Sequence, residues 1–283
     1  SVVSETTTVS SEDAIDETTE ACETEETSAE PTATPTPTPW PRDPSVPDIE
    51  GYNLLWADEF NGDELDETLW SVQTRRPGVT NNELQAYVDS DENVYVENGC
   101  LCIRATREID EDGNVNYYSG KVDGRNKTDF MYGRVEVRAR VPEGQGFWPA
   151  IWMMPTVENR YGSWPQCGEI DIMEILGHEP QTTYGTLHWG VPHGEQQGSL
   201  TLEEGSFATD FHVFSVEWEP GEIRWYIDGE EMLVANDWYS AEGDDEKPYP
   251  APFDQPFYTL LNLAVDSGNF GGAANKATFT GDM

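Results

Sequence analysis

Positive charge is scarce in this chain: 15 Lys and Arg stand against 55 Asp and Glu, and only four His are present. The formal net charge of −40 argues against nucleic acid and anionic membrane surfaces as partners, because both repel an acidic protein. Thirteen of the acids and a single Arg fall in the first 50 residues, so the rest of the chain still carries −28 and the acidity is no mere tail effect. That surplus reads first as a solvated surface suited to an external medium. No run of 18 apolar residues occurs, so no membrane-spanning segment is expected. The chain opens Ser1-Val2-Val3 with neither an initiator Met nor a visible signal peptide, and a processed or truncated product is expected. Four Cys do not make a disulfide framework. Cys22 lies in the polar N-terminal stretch. Cys100 and Cys102 sit side by side on one strand face, a poor geometry for closing a ring, and a bond from either to Cys167 stays open. No pair of His or Cys is read here as metal ligands, and no metal site of that kind is expected.

Residues 1–47 have the composition of a disordered, acidic spacer. Glu, Thr and Ser dominate as far as Glu30, then PTATPTPTPWPRDPSVP alternates Pro with Thr, which holds a backbone extended and bars a packed core. A folded domain is expected over 48–283, its first apolar and aromatic cluster being YNLLWADEF from Tyr52. Long helical periodicity and internal repeats are both missing, and short strands take their place. NVYVENGCLCIRATR reads as two strands around the Asn98-Gly99 turn. YGRVEVRARVPEG alternates, with Val135, Val137, Ala139 and Val141 on one face and Arg134, Glu136, Arg138 and Arg140 on the other. Two further turns, at Pro220-Gly221 and Asp228-Gly229, split HVFSVEWEPGEIRWYIDGEEMLV into strands. FYTLLNLAV (257–265) is a continuous apolar run that suits a strand buried on both faces. The fold class is all-β, a two-sheet antiparallel β-sandwich.

One stretch breaks its own rhythm. In GEIDIMEILG (168–177) Glu169 and Asp171 alternate with Ile170 and Ile172, and then Met173 intrudes before Glu174. A regular strand turns Glu174 away from Glu169, and in a helix the two lie some 140° apart, on the order expected for five residues. One extra residue at Ile172-Met173, a β-bulge, returns Glu174 to the side of Glu169 and Asp171. Three carboxylates on one face repel, so at least one keeps its proton to higher pH than usual. That is the arrangement of a two-carboxylate glycosidase, with one group ionised as nucleophile and another protonated as acid. A calcium-binding or merely solvated acidic strand is the competing reading of E-x-D-x-x-E alone.

The longer segment GEIDIMEILGHEPQTTYGTLHW resembles the signature of glycoside hydrolase family 16, in its laminarinase (endo-β-1,3-glucanase) branch. LLWADEFNGDELDETLW, NNELQAY, NVYVENGCLCIRA, YGRVEVRARVPEGQGFWPAIWMMP, WPQCGEIDIME, FHVFSVEWEPGEIRWYIDG and FDQPFYTLLNLAV resemble blocks of that branch in its order, so the likeness runs from Tyr52 to the end. It implies a jelly roll of the concanavalin-like kind with a concave substrate cleft. It also implies a secreted or cell-surface, monomeric hydrolase that takes β-glucan polysaccharide and needs no cofactor for catalysis. By position, Glu169 is the expected nucleophile, Glu174 the acid and base, and Asp171 the carboxylate between them. Lichenan or agar-type galactan as substrate, and a non-catalytic β-glucan-binding module, are the alternatives. Sulfated galactans fit poorly, since they need a basic groove.

The same resemblance puts Trp164 at the glycone side of the cleft and His188 near the carboxylates. Arg134 and Asn82 (or Asn81) match positions on the concave face, and an ion pair between Arg134 and Glu136 is an equal reading. Trp148 is a second stacking candidate, with a buried packing role as its alternative. Trp152, Trp218 and Trp225 read as core. A structural calcium on the convex side is implied through Glu59 and Gly99. Its third ligand is missing, because the chain stops at TFTGDM where the family continues into a last strand. A fragment without that strand is expected.

Overall fold

The computed structural model describes residues 48–277; the acidic stretch 1–47 and the last-strand question at 278–283 lie outside the described residues. Sixteen strands follow one another among the described residues. They are β1 (Ser71–Val72), β2 (Gln85–Tyr87), β3 (Val94–Glu97), β4 (Cys100–Ile103), β5 (Thr106–Ile109) and β6 (Val115–Ser119). Next come β7 (Lys121–Asp123), β8 (Gly133–Ala139), β9 (Phe147–Pro155), β10 (Glu169–Ile175) and β11 (Thr182–Trp189). The last are β12 (Gly194–Thr201), β13 (His212–Glu219), β14 (Glu222–Ile227), β15 (Glu230–Ala235) and β16 (Phe257–Val265). The only α-helix among the described residues is the single turn α1 (Gly272–Asn275).

Seven strands form one sheet in the order β1-β7-β16-β9-β10-β11-β12, and four form a second, β15-β14-β13-β8. A three-stranded sheet, β2-β6-β5, and the hairpin β3-β4 complete the list, and among the described residues only the β2–β6 pairing is parallel. The two large sheets share one core. Ile170, Ile172, Met173 and Ile175 of β10 belong to the same buried cluster as Phe214, Val216 and Trp218 of β13 and Ile223, Trp225 and Ile227 of β14. This is the expected two-sheet sandwich, a jelly roll. Burying each large side chain contributes roughly 1.5–3 kcal/mol, so the inward set fixes which face of each strand points outward.

The turn chemistry also holds. Asn98 and Gly99 have φ of 54° and 73°, and Asp228 and Gly229 have 51° and 84°. These are the positive values that a two-residue hairpin loop requires. The run FYTLLNLAV becomes β16, central between β7 and β9 and buried except at Asn262. Cys100, Cys102 and Cys167 are free, which closes the disulfide question for them.

The rhythm break in β10 is a bulge. Against β11, Asp171 pairs with Thr186 and Glu174 with Tyr184, so Ile172 and Met173 together oppose Gly185. Against β9 the shift falls between Asp171 and Met173. Both Ile172 and Met173 are buried in the core, and Glu169, Asp171 and Glu174 are left on the outer face. Two features hold the distortion. A Cβ on Gly185 would meet the Trp225 ring and the Met232 methyl at 2.7 Å, so only glycine lets the second sheet approach here. The Trp225 indole N–H crosses the core and donates to the carbonyl of Asp171 at 2.8 Å, where the ladder to β11 is interrupted.

Trp225→Phe keeps an aromatic ring but strands that carbonyl, and a loss of about 1–3 kcal/mol is expected. Urea unfolding should show a lower midpoint with an unchanged slope. An unchanged midpoint would mean that the bulge holds itself.

Candidate active site

Directly opposed residues on adjacent strands share a face, so the register lays out the outer surface of the seven-stranded sheet row by row. Glu169 lies opposite His188, which lies opposite Glu195. Asp171 is flanked by Trp152 on one side and by Thr186 and Gln197 on the other. Glu174 is flanked by Ala150 and Asn262 on one side and by Tyr184 on the other. The three carboxylates therefore occupy successive rows of one strand, and each has its own set of partners.

Glu169 accepts a hydrogen bond from the Trp164 indole N–H. Trp164 itself is 51% exposed, which is unusual for a ring of that size, and it leans against His188 and His193 with ring centroids 6.0 and 5.1 Å away. Glu174 accepts from the Trp148 indole N–H at 3.0 Å. Trp148 is only 8% exposed and stacks on Phe270, with centroids 5.0 Å apart and planes 19° from parallel. It is a buried partner of the carboxylate, not the open stacking surface expected as one reading. Asp171 is buried between the two glutamates, with its Oδ2 3.3 Å from His188 Nε2.

Burial, first of all, raises the pKa of each carboxyl. Glu169 is pushed up to about 8, with the neighbouring Asp171 charge adding to the effect and His188 and the Trp164 N–H opposing it. Glu174 is pushed up to about 7 by burial and then by Glu169, opposed by the Trp148 N–H and by His188. Asp171 rises well above the ordinary aspartate range through burial and then Glu174. The three share protons as a set. Near neutral pH the row holds both protonated and ionised carboxyl groups, which is what acid and nucleophile on one face require.

The structure places the other expected residues unevenly. His188 joins the carboxylates. Arg134 does not: it lies on β8 of the four-stranded sheet, across the core from them. Its guanidinium is bound to Glu136 at 2.9 Å and Glu217 at 2.8 Å, so the ion-pair reading holds and the groove reading is corrected. Asn82 and Asn81 are exposed at positive φ in the turn that leads from Thr80 to Glu83, and Asn81 reaches Glu83 at 3.5 Å. Trp218 and Trp225 are core, as expected. Trp152 is not: it shares the face of Asp171, donates to Asn262 Oδ1 at 2.7 Å, and carries the Lys121 ammonium over its ring at 4.4 Å. Its position in the WPAIW alternation, four residues after Trp148, was the signal available.

Two readings about metals also change. His188 and His193 are brought together by the hairpin turn, with Glu195 beside them; their H-x4-H spacing was the signal in the sequence that the reading of the residues passed over. Glu59 and Gly99 are both exposed, and among the described residues no group of three His, Cys, Asp or Glu side chains gathers around Glu59. Calcium takes six to eight oxygen ligands. One carboxylate and one turn carbonyl do not make that site, and no chemistry is derived from it.

The family model for glycosyl hydrolases family 16 matches residues 81–275. A glucan endo-1,3-beta-glucosidase from Cryptopygus antarcticus is 39% identical over 233 residues, covering 77% of this chain and 82% of that protein. Glucan endo-1,3-beta-glucosidase A1 from Niallia circulans is 42% identical over 248 residues, covering 81% of this chain, which spans only 36% of that longer protein. Among solved structures, the laminarinase from Rhodothermus marinus superposes with a TM-score of 0.69 at 37% identity, covering 79% of this chain and 90% of the other. With the bulged row of carboxylates, the shared sandwich and a match across most of its length, the chain belongs to glycosyl hydrolases family 16.

Proposed function

We propose that the chain is a retaining endo-glycosidase that hydrolyses β-1,3-glucosidic bonds in laminarin-like or mixed-linkage β-glucans. The observation that carries the reading is the bulge at Ile172-Met173, which turns Glu169 and Glu174 to one face with Asp171 between them. Glu169 is raised to about 8 and Glu174 to about 7, so the free row does not by itself put its proton on the acid, and the reactive form is the one in which the shared proton lies on Glu174. In that form the ionised Glu169 attacks the anomeric carbon while Glu174 gives its proton to the departing glycosidic oxygen. The C–O bond to the leaving sugar breaks as the glycosyl–Glu169 ester forms. Glu174, now a carboxylate, takes a proton from water, whose oxygen displaces Glu169 and restores both groups. Asp171 lies next to Glu169 and His188, so it steadies the nucleophile and the sharing of protons in the row.

Substrate is held largely by apolar faces. Trp164, half-exposed and hydrogen-bonded to Glu169, offers its ring beside the nucleophile, and Trp152 offers a second on the face of Asp171. The nearly absent basic charge in this row suits a neutral polysaccharide. The acidic surface and the Thr-Pro stretch support an extracellular, monomeric enzyme.

Glu169→Gln should lower kcat/KM on laminarin by about 10³-fold or more, the scale of a lost catalytic group, with the circular dichroism spectrum unchanged. Proton NMR of the first product should show the β-anomer. Full activity in the variant, or α-anomer first, would end the assignment, and cleavage of agar alone would move the substrate. A separate expectation follows from the raised carboxyls. Within the shared row the Glu174 carboxyl is pushed up from 4.5 to about 7, so folding takes up protons between those values. Its contribution is fully present below the unfolded value and is lost as pH rises through the folded one. Glu174→Gln should therefore raise Tm relative to the native chain at about pH 8 and bring no such gain at about pH 4. An equal shift at both would mean that its proton is held no more tightly in the folded state.

A further inference from the structure

The β11–β12 hairpin gathers three ligand atoms at the rim of the carboxylate row. His188 Nδ1 lies 3.0 Å from His193 Nε2 and 3.6 Å from Glu195 Oε2, and all three donor atoms lie within 4.8 Å of one another. His188 and Glu195 are direct cross-strand partners, and His193 sits in the turn that joins them. We propose that His188, His193 and Glu195 form a binding site for a divalent transition metal ion such as Zn²⁺, and that its occupation inhibits the enzyme.

The arrangement has the features of a ligand set and not only of three polar neighbours. A tetrahedral Zn²⁺ with nitrogen and oxygen ligands at about 2.0–2.1 Å holds its donors roughly 3.3 Å apart, between the two separations seen at His188. The far side of the imidazole faces a carboxylate: Nε2 is 3.3 Å from Asp171 Oδ2, a buried oxygen with no hydrogen-bond partner. When Asp171 is ionised, that oxygen calls for the Nε2–H tautomer, which leaves the Nδ1 lone pair on the side of His193 and Glu195. A carboxylate behind the ligating His fixes its tautomer and orientation and raises its basicity, as in many metal sites. Two imidazoles and one carboxylate make a borderline donor set that suits Zn²⁺, Cu²⁺ or Ni²⁺ over Ca²⁺ or Mg²⁺. Glu195 is 62% exposed at its side chain, so the outer side is open for the ion to enter and for water to complete its shell.

Occupation has a consequence for the row. An ion on Nδ1 places positive charge one imidazole away from Asp171 and pins His188 and His193, the two rings against which Trp164 leans. Both changes hinder a sugar entering beside Glu169. The inhibition rests on the glycosidase reading, but the binding does not.

The test is a titration with Co²⁺, followed by its visible absorption, in the native chain and in the His193→Ala and Glu195→Ala variants. The native chain should bind one ion with a nitrogen- and oxygen-ligand spectrum. Either variant should bind at least about tenfold more weakly, the loss that even an outer-shell change brings. In parallel, Zn²⁺ should inhibit laminarin hydrolysis by the native chain and be relieved by a chelator. Glu195→Ala should keep the basal rate and escape inhibition. Equal Co²⁺ affinity in all three chains would overturn the site, as would a thiolate charge-transfer band that puts the ion on a cysteine. Should the chain prove inactive on every glucan, the Co²⁺ arm still decides the site by itself. Tight binding with undiminished hydrolysis would overturn the inhibitory role.

Discussion

One distortion of one strand organises this molecule. The outer face of β10 carries Glu169, Asp171 and Glu174 only because Ile172 and Met173 both turn inward, and that count of two residues against one partner has to be held against the regular ladder on both sides. The hold comes from the opposite sheet. Trp225 fills the core beneath the bulge and donates its N–H to the Asp171 carbonyl, and Gly185 leaves the room for its ring. The packing of the sandwich and the placing of the carboxylates are therefore the same fact seen from two sides. A core that relaxed here would rotate acid side chains toward Ile170 and Ile175, at the cost of burying charge without partners.

What the bulge gathers is an unfavourable arrangement, and the neighbouring residues temper it in different ways. Burial raises all three carboxyls, yet the indole N–H groups of Trp164 and Trp148 pull two of them back toward ionisation. The rings differ in a way that matters chemically. Trp148 is locked under Phe270 and can only orient Glu174, whereas Trp164 is half in solvent and has a free face for a sugar. His188 acts on both sides of the set, lowering the pKa of each glutamate and standing 3.3 Å from an Asp171 oxygen that has no hydrogen-bond partner. Preorganised dipoles of this kind cost nothing further when charge shifts during a reaction.

Much of this was legible in the residues, and the reasons are local. A broken period-two alternation names both the bulge and its position, because only one extra residue restores the faces. Asn-Gly and Asp-Gly mark hairpins since their backbones accept positive φ, and an unbroken apolar run marks a strand covered on both sides, as β16 is. The misreadings have separate causes. Alternation tells which side of a strand a residue faces but not which sheet the strand joins. Arg134 alternates outward as expected, on the sheet away from the carboxylates. Trp152 alternates outward too, and general tryptophan burial hid it. His193 owes its place beside His188 to the turn between β11 and β12, and the H-x4-H spacing that signals such a pair was passed over.

The scarcity of cations then explains more than solubility. Arg134 and Arg224 are held on the outer face of the four-stranded sheet by Glu136, Glu217, Glu219 and Glu222. One cation on the carboxylate face, Lys121, lies over Trp152 and is itself lowered to about 8, first by burial and then by the nearby Arg75. An arginine close to Glu169 or Glu174 would favour their charged forms and bring both into the ordinary carboxylate range. With Arg134 and Arg224 on the far sheet, burial and mutual repulsion are the largest influences on Glu169 and Glu174, and these retain a proton in the row near neutrality. The acid of the reaction is thus supplied as much by where the arginines are not as by where the glutamates are.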